Sequence, residues 1–99
     1  MFISMGKLGQ QLEELQVDAI KIKVRVVKAD SAVELVLNGL QQVQEISFGR
    51  GAAALWNKGE LAAVIKEAFN EGVLESRRLL RDEVTRKTGI TLPHVPGLF

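Results

Sequence analysis

Ile20-Lys21-Ile22-Lys23-Val24-Arg25-Val26-Val27 and, after a break of five residues, Val33-Glu34-Leu35-Val36-Leu37-Asn38-Gly39 are the stretches whose reading decides the fold. Apolar residues at every second position argue for strands buried on one face. A two-residue loop at Asp30-Ser31 sets Val26 opposite Leu35 and Val24 opposite Leu37. That register keeps the apolar side chains together, and a slip of one residue would break the match. It also gathers Lys21, Lys23 and Arg25 on the uncovered side of the first strand. Asn38-Gly39 is a strong hairpin signal, because both residues tolerate the positive φ of a type I′ turn. In the third strand Val43, Ile46 and Phe48 are spaced three and then two, so a bulge or longer loop is expected between Val43 and Ile46.

Upstream, Met5, Leu8, Leu12 and Leu15 form one stripe of a short amphipathic helix. Downstream, Gly49-Arg50-Gly51 begins a connector. Asn57 and Glu60 then have the spacing of a capping box, and Leu61, Val64, Ile65, Ala68, Phe69, Gly72, Val73, Leu79 and Leu80 share one side of a long helix. Gly89 suits its end and Pro93 and Pro96 forbid continuation. The expected chain is a single α+β domain over residues 1–99. It has a short helix over about 5–16, strands over about 19–29, 32–38 and 42–48 in a three-stranded antiparallel meander, a long helix over about 58–87 and an apolar tail over 88–99.

The composition excludes several kinds of chemistry. Of 99 residues 46% are hydrophobic and 25% charged, as in a globular domain. There is no cysteine and only one histidine, so thiolate metal sites, disulfides and histidine clusters are ruled out. His94 has no orienting partner in the sequence. The adjacent carboxylates Glu13-Glu14 and Asp82-Glu83 point about 100° apart on a helix and do not face each other across a cleft. Gly49-Arg50-Gly51 lacks the lysine and hydroxyl residue of a phosphate loop. No enzyme activity and no cofactor is expected. Without an apolar run of signal-peptide or membrane-spanning length, the expected setting is the cytoplasm.

Thirteen Lys and Arg against twelve Asp and Glu leave a formal net charge of +1, so any anionic partner must meet a local patch. The long helix is polarised: residues 60–75 hold four Glu and one Lys, net −3, and residues 76–88 hold five cations against Asp82 and Glu83, net +3. Such a distribution complements the helix macrodipole. Asp82 is four residues from both Arg78 and Arg86, and Glu83 four from Lys87, so these cations have local acidic partners. Arg77 and Arg81 have none at that spacing and lie opposite the apolar stripe. Lys21, Lys23 and Arg25 form a second patch, at about 7 Å intervals on an extended strand. No aromatic residue interleaves with them, so contact with a nucleic-acid backbone is favoured over base stacking. The N-terminal stripe, Val36, Trp56, Leu74 and the tail exceed what one helix on a three-stranded sheet can cover, and a homodimer is the simplest remedy.

The α-β-β-β-α order, the segment Val33 to Gly39, the helix stretch Ala68-Phe69-Asn70-Glu71-Gly72, and the ending Leu92-Pro93 through Pro96-Gly97-Leu98-Phe99 together resemble the YbaB/EbfC family of bacterial nucleoid-associated proteins. The resemblance implies a homodimer with projecting helices, duplex DNA bound by basic helix residues with broad sequence tolerance, and a role in chromosome organisation or gene regulation. By position it adds Lys7 in the first helix and Arg77, Arg78 and Arg81 in the last. The chain departs from the usual pattern in its short first helix, where Lys7 is the only cation, and in having Gly49-Arg50-Gly51 where Asp-Pro and leucines are usual. The alternative function is a dimeric scaffold that has lost DNA binding with that basic arm and engages another protein through its tail or a Leu74/Trp56 surface.

Overall fold

The computed structural model describes residues 5–89, without the side chains of residues 5–9, 11 and 12. The apolar tail and His94 lie outside the described residues. The element order is α1 (Met5–Lys21), β1 (Val24–Lys28), β2 (Val33–Leu37), β3 (Val43–Phe48), α2 (Ala52–Asn57) and α3 (Leu61–Thr88). The strands form one antiparallel sheet in the order β1-β2-β3. The fold is α+β, as the alternation and the helical stripes require.

The first hairpin has the expected register, with Val26 opposite Leu35 and Val24 opposite Leu37. Its reversal occurs at Asp30-Ser31, where the Ala32 amide donates to the Ala29 carbonyl and both central residues have positive φ. The primed-type geometry therefore falls here. At the second reversal neither Asn38 nor Gly39 has positive φ. The left-handed residue is Gln41 (φ 59°), in a longer turn over residues 38–42. The bulge is present in β3: Val36 faces Glu45 and Leu37 faces Val43, leaving Gln44 as the extra residue.

Two boundaries differ from expectation. α1 continues to Lys21 where a strand was expected from about residue 19. The reason is a competing period: Met5, Leu8, Leu12, Leu15, Ala19 and Ile22 keep the three-four spacing, and Ala19 is fully buried. The alternation of Ile20, Ile22 and Val24 governs only from Val24 onward. The connector contains the six-residue helix α2, which the sequence reading missed. Asn57 ends that helix instead of capping the next. Gly59, at φ 73°, donates to the Trp56 carbonyl while Glu60 donates to that of Leu55, the paired bonds of a Schellman stop. α3 thus starts at Leu61, and Gly89 closes it in the left-handed conformation.

The core lies between the sheet and α3. Val24, Val26, Val33, Leu35 and Leu37 pack on Ala68, with Ile22, Leu61, Val64, Ile65, Val73 and Leu79 around them. α3 covers β1 and β2 but leaves β3 at the margin. Val43, Ile46 and Phe48 pair with Leu37, Leu35 and Val33 and so point to the same face, yet all three are exposed. Val36, counted among the surplus apolar residues, is already buried within the single chain.

Candidate nucleic-acid interface

α3 is 28 residues long, about 42 Å at 1.5 Å per residue, and so outruns the sheet. Its C-terminal half runs antiparallel to α1: Ala19 lies near the level of Ser76 through the turn at residues 38–42, while Glu14 and Asp18 meet Lys87. The two helices make an arm, and the molecule measures 61 × 22 × 16 Å.

On this arm the charges are sorted by their partners. The Arg78 guanidinium bonds Glu75 at 2.6 and 3.1 Å and Asp82 at 3.1 Å. Glu75 raises the Arg78 pKa above its ordinary value, and Arg78 in turn lowers that of Glu75. Arg86 pairs with Glu83, three residues away and not the four expected from Asp82. Lys87 leaves Glu83 and reaches across to α1, with Nζ 3.1 Å from Asp18 Oδ2 and 3.5 Å from Glu14 Oε2. At the other end of α3 the acidic half is answered by Lys28 of β1, which pairs with Glu71 and lies 3.5 Å from Glu67. Contact with Glu71 is the main cause of the raised Lys28 pKa.

Arg77 has no ion pair among the described residues. It lies one helical turn before Arg81 on the flank of α3, about 100° from the buried Ser76, and both arginines are partly buried where the sequence places them opposite the apolar stripe. Lys66, which the sequence reading passed over, shares that sector: eleven residues separate it from Arg77, three turns to within about 20°. It is exposed. The spacing of eleven was the available signal.

The strand patch does not assemble. Lys21 is the last residue of α1, Lys23 lies between α1 and β1, and only Arg25 is in the strand. The Arg25 Nε is 3.1 Å from Glu34 Oε1, so its charge is partly answered. The even spacing expected along one extended strand is lost because the helix consumes Lys21. Lys7 is in α1, with its side chain outside the described residues. The groove lined by Gln10, Glu13, Glu14, Val17, Asp18 and Lys87 is acidic on balance and unsuited to phosphate. Among the described residues no cluster of His, Cys, Asp and Glu is arranged to hold a metal ion, and no helix is long and apolar enough to cross a membrane.

The apolar surface is concentrated elsewhere. All three aromatic side chains among the described residues are exposed: Phe48 by 53%, Trp56 by 72% and Phe69 by 40%. Aromatic residues contribute heavily to burial in cores and interfaces, and here these three contribute little to the core.

No curated protein matches the chain in sequence. Among solved structures the chain is similar to the crystal structure of an uncharacterized protein, HP0035, from Helicobacter pylori, at 13% identity and a TM-score of 0.59 over 86% of this chain and 97% of the other. That likeness is one of fold. The family model described as the YbaB/EbfC DNA-binding family matches residues 1–90, and with that match joined to the α-β-β-β-α architecture, the chain belongs to the YbaB/EbfC DNA-binding family.

Proposed function

We propose that the protein is a nucleoid-associated homodimer that binds duplex DNA through backbone phosphates, in chromosome organisation or gene regulation and without catalysis. The observation that carries this reading is Arg77, partly buried on the flank of α3, without an ion pair among the described residues and one turn before Arg81. The neighbouring cations Arg78, Arg86 and Lys87 are held by carboxylates, which leaves them less to offer a phosphate. Membership of a DNA-binding family supports the same ligand. Lys66 extends the basic side along α3, and Lys21 and Lys23 add charge at the base of the arm. Self-association is supported by Val43, Ile46 and Phe48, an exposed apolar row on the core face of the sheet. Pairing through it would bury the row and bring two arms into one particle.

The test is a fluorescence titration of labelled random-sequence duplex. Micromolar or tighter binding is expected at ~50 mM salt and should be lost at high salt, because neutralised phosphates release condensed counterions. Joint Arg77→Glu and Arg81→Glu substitution should abolish it. A folded dimer that fails to bind at ~50 mM salt would overturn the DNA reading. It would leave a scaffold, the second reading, which is favoured by the exposed Trp56 beside Gly59, Leu61 and Ala62 at the far end of the molecule from the arm.

A further inference from the structure

We infer that the turn over residues 38–42 is the joint that sets the direction of the arm, and that Ser76 is its positioning residue. Ser76 is fully buried on the face of α3 that otherwise carries Ala68 and Gly72. A helix serine commonly returns its hydroxyl proton to a carbonyl of its own preceding turn. This one donates to the Asn38 carbonyl at 2.6 Å, across a separation of 38 residues, and accepts from Gln41 Nε2 at 3.2 Å. The Gln41 amide also donates to the Gly39 carbonyl at 2.8 Å.

The turn is closed by hydrogen bonds of its own. Asn38 is 2% exposed; its Oδ1 accepts from the backbone amides of Leu40 and Gln42, and its Nδ2 donates to Gln42 Oε1. From the opposite side the turn grips α1. The Gly39 amide donates to the Ala19 carbonyl at 2.8 Å, and the same oxygen accepts from Ile22 as the helix ends. A Cβ at residue 39 would fall 2.7 Å from that carbonyl, so only glycine admits the approach.

α1 and α3 are thus joined at the base of the arm by hydrogen bonds running through one turn. Apolar packing is non-directional and tolerates small rotations, whereas a satisfied buried polar network specifies one arrangement. Arg77 is the next residue after Ser76, so any roll of α3 at the joint redirects the basic side. Only this last step rests on the DNA reading.

Because the chain lacks cysteine, Gln10→Cys and Lys58→Cys introduce the only two labelling sites, both at exposed positions. Electron-electron distance measurements on labelled protein diluted with unlabelled chain, without DNA, should give one narrow distribution. Adding Ser76→Ala should broaden or shift it while the helical content by circular dichroism is kept. Gln41→Ala, at a partly buried turn position, should move it the same way by less and serves if Ser76→Ala does not fold. Unchanged distributions in every folded variant overturn the joint. Duplex affinity, measured separately, should fall by roughly three- to tenfold with Ser76→Ala. Altered distances with unchanged affinity would overturn the link to DNA. Altered distances in a protein whose parent binds no DNA would uphold the joint and overturn the proposed function.

Discussion

Lys87 Nζ lies 3.1 Å from Asp18 Oδ2, an atom that is buried and accepts no hydrogen bond of good geometry. The last turn of α3 is thereby tied to α1 by charge. Contact with Asp18, reinforced by Glu14, raises the Lys87 pKa above its ordinary value, as Glu71 does for Lys28. A lysine whose folded pKa is raised contributes fully below its unfolded value and loses that contribution as pH rises through the folded one. Glu75, lowered by Arg78, behaves in the opposite sense and loses its contribution as pH falls below the unfolded value of 4.5. Thermal stability should therefore be flat at neutral pH, fall in acid, and fall again above pH 10.5. Lys87→Met should lower the melting temperature at neutral pH and flatten the alkaline decline. Melting curves across pH, at fixed protein concentration, check both.

Gly72→Ala tests the packing of α3 on the sheet. A Cβ there would lie 2.6 Å from Leu37 Cδ1 and 3.3 Å from Val26 Cγ2, both in the core. Overpacking of this kind costs about 1–3 kcal/mol, and the better helix propensity of alanine returns about 1 kcal/mol. The expected balance is a net loss of about 1 kcal/mol, read as a lower denaturation midpoint with an unchanged slope in urea. A stabilised variant would place Gly72 in a looser contact than the one described.

The β3 row makes a prediction about assembly. Ile46→Lys changes a side chain that is about half exposed within the protomer (48%), so folding should survive. Sedimentation velocity should show the parent as a dimer and the variant as a monomer with the same circular dichroism. A variant that remains dimeric moves the interface off β3.

For DNA, the neighbouring arginines should differ. Arg77→Ala is expected to weaken duplex binding and to reduce the slope of log affinity against log salt by about 1, one phosphate contact. Arg78→Ala should do less, since Glu75 and Asp82 already hold that guanidinium. Equal effects from both would mean that the local pairing does not govern which cation meets the backbone.

The parts of the fold legible in the sequence were those where a single period operates. Val24 and Val26 against Leu37 and Leu35 admit one register, and the irregular spacing of Val43 and Ile46 announced the bulge at Gln44. Between Ala19 and Ile22 two periods overlap, and burial of Ala19 decided for the helix, which dispersed Lys21, Lys23 and Arg25. Asn57 to Glu60 fits a helix start and a helix stop equally well by residue type; the positive φ of Gly59 decides. On α3, i+4 arithmetic anticipated the Arg78–Asp82 pair. It failed for Lys87, whose partners come from α1, 73 and 69 residues away in the chain.

The polarity of α3 has a further consequence for approach to DNA. A net charge of +1 gives a polyanion little to pull on, but net −3 over residues 60–75 and net +3 over residues 76–88 make α3 an electric lever, weakened by Lys28 at its acidic end and by Glu14 and Asp18 of α1 at its basic end. In the field of a duplex such a lever feels torque before it feels attraction. Productive encounters should begin arm-first, with Glu60, Glu67 and Glu71 swung outward, and salt should slow association by blurring orientation as well as by screening contact.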